Sequence, residues 1–166
     1  MRIASLHKTS TAIVADNLAL PHPSSFFDFA ISIAVIHHFS TLTRRVEALA
    51  AVLDTLRPSI ALPGASNQSA CNGGRALIFV WALEQKTSRR DWGESDEQDV
   101  MVPWVMKQKS SKGKDGDSAT FHRYYHLYCS GELERDIIAA GGVVVESGYE
   151  KDNWWAIALR PQVISP

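Results

Sequence analysis

The sequence predicts an α/β fold with a largely parallel sheet, and three observations predict it. FDFAISIAVI (27–36) and the strand-like part of GGRALIFVWALE (73–84) are rich in Ile, Val and Phe with almost no polar alternation. That is how strands buried on both faces of a parallel sheet read. Between them TRRVEALAAVLDTLRP (43–58) sets Val46, Leu49, Ala50, Leu53 and Leu56 at three- and four-residue spacing, an amphipathic helix. The chain then closes on a capped helix, SGELERDIIAAGG (130–142), and two β-rich runs split by a charged turn within VVVESGYEKDNWWAIALRP (143–161).

Taken in order, AIVAD (12–16) reads as a short strand, interrupted where Pro21 and Pro23 impose a loop. The run 27–36 is expected as a central strand. Ser40 or Thr41 caps the first helix, and Pro58 stops it. Residues 59–72, SIALPGASNQSACN, fit neither period and read as an inserted loop; the next strand runs through Trp81. The densely charged stretch 84–104 is expected as a long loop over one sheet edge, and the lysine-bearing stretch around 107–119 as a flexible excursion. In such sheets ligands bind beyond the carboxyl ends of the parallel strands, which puts Asp16, the His37–His38 pair and residues 81–85 on one rim.

At 166 residues, 45% hydrophobic and 21% charged, the chain has the composition of one globular domain. It has no apolar run near the ~20 residues of a membrane helix. Lys plus Arg number 17 against 18 Asp plus Glu, so contact with a polyanion must come from local patches. Cys71 and Cys129 stand far apart without a metal-ligand spacing, and the amino terminus lacks the apolar core of a secretory signal. No metal site is expected.

Several longer stretches go further: VADNLALPHPSSFFDFAISIAVIHHFS, VWALEQ, SRRDW, QDVMVPWV and FHRYYHLYCSGELERDIIAAGG. Together they cover most of the chain and resemble class I S-adenosylmethionine methyltransferases. More narrowly, they resemble the eukaryotic tRNA methyltransferases that esterify 5-carboxymethyluridine at the wobble position, including the methyltransferase domain of the AlkB-like dual enzyme. A strand ending in HH is common in the wider class; VWALEQ, SRR, VPW and RYYHLY carry the narrower likeness. The resemblance implies a Rossmann-like class I methyltransferase sheet truncated at the N-terminus, with its first two strands missing. The family's glycine-rich loop is absent, because no G-x-G-x-G occurs. It further implies a single partial methyltransferase domain over 1–166, an insertion at 59–72 and a flexible loop at 107–119. S-adenosylmethionine would be the cofactor, the tRNA anticodon loop the substrate, and a small zinc-binding activator the protein partner, in the cytoplasm or the nucleus.

Methylating a carboxylate needs no general base; the site supplies alignment and dryness. A guanidinium fork suits the carboxylate or a nearby phosphate, which makes Arg89 and Arg90 candidates beside a solvated-loop reading. His37 is the candidate hydrogen-bond donor near the methyl; if the strand continued, only one of His37 and His38 would face the pocket. The resemblance implies cofactor contacts from Asp16, Ile33, Ala34 and His38, although an Asp leading into a turn is ordinary. For uridine and RNA contact the candidates are Trp81, Glu84, Arg123, Tyr124 and Tyr125, with core packing for Trp81 and a half-buried strand for RYYHLY as open alternatives. Two non-enzymatic readings stay open beside the methyltransferase: an inactive fragment unable to hold cofactor, and a pseudoenzyme acting as an RNA- or activator-binding module.

Overall fold

A computed structural model of the chain describes residues 12–59, 73–86, 92–93, 95–107 and 118–162. The core grows from one helix and one strand. Helix α1, Leu42–Asp54, starts at Thr41, whose hydroxyl accepts the Arg44 backbone N–H at 3.3 Å. Its buried face is Arg45, Ala48, Leu49, Val52 and Leu53. That is a stripe rotated by about one residue from the expected Val46–Leu49–Ala50–Leu53, because an ion pair, described below, draws Arg45 inward.

Strands β1 (Phe29–Ile33) and β2 (Arg75–Trp81) pair in parallel, with Ile31 opposite Leu77. The later strands β5 (Val143–Glu150) and β6 (Asn153–Leu159) form a hairpin, and β6 lies antiparallel to β2. The sheet order is therefore β1-β2-β6-β5. The hairpin turn carries Lys151 and Asp152 at φ 47° and 62°, the two left-handed positions of a turn that follows the twist of the strands. Helix α2, Glu132–Ala139, ends ahead of Gly141 at φ 82°, a left-handed position that suits glycine.

Side chains of alternate sign divide the sheet. Ala76, Ile78 and Val80 of β2 and Ala156 and Ala158 of β6 are fully buried against Leu49 and Val52 of α1 and Leu133 and Ile137 of α2. The opposite face carries Phe29, Ile31 and Ile33 at 55%, 59% and 58% exposure, continuing into half-buried Leu77, Phe79, Trp155 and Ile157. Both helices of the described residues thus cover one face, giving them a two-layer α/β arrangement.

Four expectations change. Residues 12–16 are not a strand: Ile13 and Val14 are exposed, and Asp16 opens a tight turn by accepting the Leu18 N–H at 3.0 Å. The run 27–36 is not central. Apart from an isolated bridge between Phe27 and Leu56 it pairs only with β2 among the described residues, and it ends at Ile33 because Ala34 turns to φ 58°. The charged stretch 84–104 is not loop throughout, since β3 (Asp99–Lys107) forms a hairpin with β4 (Ser118–His126). This pairing also takes Lys107, Ser118 and Ala119 out of the expected loop; residues 108–117 lie outside the described part.

Of the expected insertion, residues 60–72 also lie outside the description, but their flanks meet. Ser59 is buried and bonds Arg160 and Gln162 through its backbone, and a Cβ on Gly73 would fall 2.6 Å from the Ser59 Cα. A segment that leaves and returns at one point adds little closure cost with length.

The two sheet faces predict different mutational costs. Ile78→Ala removes a fully buried side chain and is expected to lower unfolding free energy by about 2–5 kcal/mol. Ile31→Ala, on the neighbouring strand but the open face, is expected to cost less than about 0.5 kcal/mol. Urea unfolding of both variants measures the contrast.

Candidate functional site

Beyond Ile33 the chain turns through Ala34, whose N–H donates to Phe79 O at 3.1 Å, into a short 3-10 helix, Ile36–His38. A positive φ on a non-glycine residue is strain of the kind stored at functional turns. The 3-10 helix replaces the expected strand continuation, so His37 and His38 lie edge to face at 4.6 Å.

His37 is completely buried, and its Nδ1 accepts the Trp81 backbone N–H at 3.0 Å. That fixes the neutral tautomer with the proton on Nε2. Burial, reinforced by the neighbouring His38 and His126, lowers its pKa to about 3. Nε2 has no hydrogen-bond partner among the described residues, so a neutral N–H donor is held at the end of β2.

His38 is exposed, and its Nδ1 lies 2.9 Å from Tyr124 O. Trp81 stacks on Tyr125 at 4.3 Å and 13°, and Tyr125 also touches both histidine rings. The structure therefore brings His37, His38, Trp81, Arg123, Tyr124 and Tyr125 together where the β3–β4 hairpin meets the 3-10 helix. Tyr125 is buried and covers one ring face of Trp81, while His38, Arg123 and Tyr124 line an open depression of about 380 Å³.

The remaining candidates lie apart. Glu84 accepts the Ser130 N–H and the Trp154 indole N–H, both at 3.1 Å, and borders a separate pocket with Lys86 and Tyr149. Arg89 and Arg90 fall outside the described residues. Asp16 sits in the turn before a groove of about 310 Å³ lined by Asn17, Leu20, Phe27, Ile31, Ser32 and Val35. Inside it Asn17 Nδ2 and Ser32 Oγ are buried without hydrogen-bond partners among the described residues. Sequence reasoning missed both; their only signal was position, next to Asp16 and within the buried strand.

It also missed what anchors the hairpin. His126 bridges two carboxylates, with Nε2 at 2.7 Å from Glu132 and Nδ1 at 2.8 Å from Asp99, which the Tyr124 hydroxyl also reaches. Glu132 further accepts from Gln98 and the Cys129 N–H. Arg45 of α1 pairs with Glu132 and Asp136 at 3.5 and 3.3 Å, and the Tyr128 hydroxyl donates to Asp136. Burial alone would lower the His126 pKa, but the bonds to Glu132 and Asp99 raise it. Burial alone would raise Glu132, but the bonds from His126 and the Cys129 N–H hold it below its usual value. Burial and the Asp99 bond push Tyr124 up to about 12.

Among the described residues, no helix is long and apolar enough to cross a membrane and no cluster of His, Cys, Asp and Glu fits a metal ion. No family model matches the chain. The tRNA (carboxymethyluridine(34)-5-O)-methyltransferase of Schizosaccharomyces pombe is 46% identical over 158 residues, covering 89% of this chain and 63% of that protein. The enzyme of the same name from Saccharomyces cerevisiae is 38% identical over 202 aligned positions, covering 89% and 67%. The chain belongs to this methyltransferase family. It spans somewhat less than two thirds of the length of the S. pombe family member.

Solved structures agree on the fold. The CcbJ methyltransferase of Streptomyces caelestis matches with TM-score 0.60 at 10% identity over 96% of this chain and 72% of that one. A Burkholderia thailandensis N1-methyltransferase, solved with S-adenosylhomocysteine, matches with TM-score 0.53 at 17% identity over 90% and 50%. The two-layer sheet of this family member is therefore a class I methyltransferase fold.

The His126 bridge predicts a stability maximum in pH. A depressed carboxylate stabilises above its ordinary value, 4.5 for Glu132, and that share is lost as pH falls through the lower folded value. The raised imidazolium stabilises fully below its ordinary 6.5, and that share is lost as pH rises through the higher folded value. Urea midpoints measured across pH should fall on both sides. His126→Gln should lower the midpoint at pH ~6 and flatten the alkaline side.

Proposed function

We propose that this chain carries out, or forms the substrate-side part of, the S-adenosylmethionine-dependent methyl esterification of 5-carboxymethyluridine at the wobble position of tRNA. The observation that carries this reading is the 46% identity to the S. pombe enzyme of that name; the aromatic and histidine site at the strand ends supports it.

The groove beside Asp16 fits the nucleoside end of the cofactor. It offers a buried amide donor on Asn17 and a hydroxyl on Ser32, both without partners among the described residues, next to the strained Ala34 turn. Asp16, which precedes Asn17, and Ile33 and Ala34, which follow Ser32, are assigned to that end, and His38 to the cofactor from the neighbouring depression. S-adenosylmethionine, when bound, supplies an electrophilic methyl group. The substrate carboxylate is already ionised and attacks without a base, so this chain's residues position and dry the site. His37 is assigned as a neutral N–H donor that orients the carboxylate without transferring a proton to it; its Nε2 is buried in the free chain, so this contact forms only as substrate opens the site. Arg89 and Arg90 are assigned to grip the carboxylate or a flanking phosphate. Trp81 is assigned to the base, and Arg123 and Tyr124 to the adjoining backbone.

The zinc-binding activator is assigned to the open side of β1, where Phe29, Ile31 and Ile33 are more than half exposed. The tRNA anticodon loop is the assigned substrate, met in the cytoplasm or the nucleus. The exposed edge of β1 also favours a second reading, a module that binds RNA or the activator without turnover. Titration calorimetry with S-adenosylhomocysteine separates the two: a folded chain in complex with its activator that takes up none sinks the enzymatic reading.

A methyl ester has a distinctive chemistry. Label transferred from S-adenosylmethionine to tRNA should be released as volatile methanol by mild alkali; alkali-stable label would exclude the proposed reaction. His37→Ala should lower kcat about 10- to 100-fold, the size of one hydrogen bond to a charged group. Because His37 is neutral well above its pKa of about 3, the wild-type rate should show no inflection from this residue between pH ~5 and 8.

A further inference from the structure

We infer that the outer part of the β3–β4 hairpin is a second base-stacking platform for single-stranded RNA, formed by Trp104, Phe121 and Arg123. The inference rests on the RNA-directed reading of the site above, which it extends to a neighbouring nucleotide.

The hairpin register sets Val100 opposite Tyr125, Val102 opposite Arg123 and Trp104 opposite Phe121, all on one face. At the base of that face Val102 and Tyr125 are buried in a cluster with Leu83 and Leu127. Farther out the same face emerges into solvent, with Trp104 41% and Phe121 50% exposed. Their ring centroids are 6.4 Å apart across the strands, and the Arg123 guanidinium lies 4.1 Å above the Trp104 ring. Arg123 also lines the depression beside His38 and Tyr124. Arg123 thus adjoins both the depression beside the histidines and the outer aromatic pair. Tyr125 and Phe121 are four positions apart, about 13 Å along an extended strand, so the outer platform meets a different nucleotide from the one at Trp81.

An exposed aromatic pair alone would fit many partners; charge decides between them. Residues 99–126 carry Lys107, Lys109, Lys112, Lys114 and Arg123 against Asp99, Asp115 and Asp117, five cations to three acids. In a chain of formal net charge −1, this local excess of cations matches a polyanion. Unpaired bases stack on aromatic rings and on guanidinium planes, while lysines follow the phosphates. The opposite face of the hairpin, with Val105 52% exposed, has no guanidinium stacked on an aromatic ring among the described residues and serves as a control.

The test is fluorescence anisotropy of a short labelled single-stranded RNA titrated with the full 166-residue chain at several salt concentrations. Trp104→Ala and Phe121→Ala should each weaken binding about 5- to 100-fold while leaving the slope of log Kd against log salt unchanged. Trp104→Phe should restore most of the affinity, Arg123→Ala should reduce both affinity and slope, and Val105→Ala should match the wild type. Wild-type affinity in both aromatic variants, or no RNA binding by the wild-type chain, overturns the platform and leaves the patch as a surface for a protein. Methyl transfer measured on the same samples keeps the two ideas apart. Loss of RNA affinity in Trp104→Ala, with no transfer by the wild type, sustains the platform and sinks the enzymatic reading. Transfer with unchanged RNA affinity does the reverse.

Discussion

Glu132 is the residue on which the arrangement of the molecule depends. It opens α2, where a carboxylate is favoured by the helix dipole, and one oxygen meets His126 and Arg45 while the other meets Gln98 and the Cys129 N–H. Three elements converge on it: α1 through Arg45, the hairpin through His126, and the connection after β4 through Cys129. A partly buried carboxylate with both oxygens engaged locks geometry more than it adds stability, because desolvation offsets much of the attraction. What it secures is the hairpin's position. With His126 fixed, Tyr125 is seated against both site histidines and Tyr128 bonds the backbone at the end of β2.

The site then follows from backbone accounting. The Trp81 N–H lies at the end of β2, past its neighbouring strand, and needs an acceptor; His37 Nδ1 provides it. The cost of enclosing an imidazole is met by keeping it neutral, and the neutral tautomer places the remaining proton on Nε2. Fold and chemistry are coupled through a single ring.

Much of this was legible in the sequence where periodicity and local chemistry agree. The start of α1 at Thr41, the two strands on either side of it, and the terminal hairpin read directly, as did Gly141 at the end of α2; α1 itself ends at Asp54, four residues before the expected stop at Pro58. Readings failed where a distant partner decides. The stripe of α1 is rotated because Arg45 finds acids 87 and 91 positions away. β3 looked like loop because its only sheet partner among the described residues is β4, which follows it across the charged residues 108–117. AIVAD has strand composition but no neighbouring strand among the described residues, so the local Asp16 turn wins. Of the site candidates, the two histidines and the RYY cluster do meet. Glu84 is drawn instead to Trp154 and Ser130 by two N–H donors that motif reading cannot see.

The edge of β1 bears on how the chain behaves in solution. Bonds from Asp28 and Ala34 run toward β2, so the backbone groups of Phe29, Ile31 and Ile33 alternate to the other side, beside their exposed apolar side chains. No described residue pairs with those groups, and such an edge is a template for any extended strand that collides with it. Capture by a second molecule is a bimolecular event, so the lifetime of the free species shortens in proportion to its own concentration. The amount that persists as a solitary molecule then depends on the chain's own abundance as well as on its folding stability.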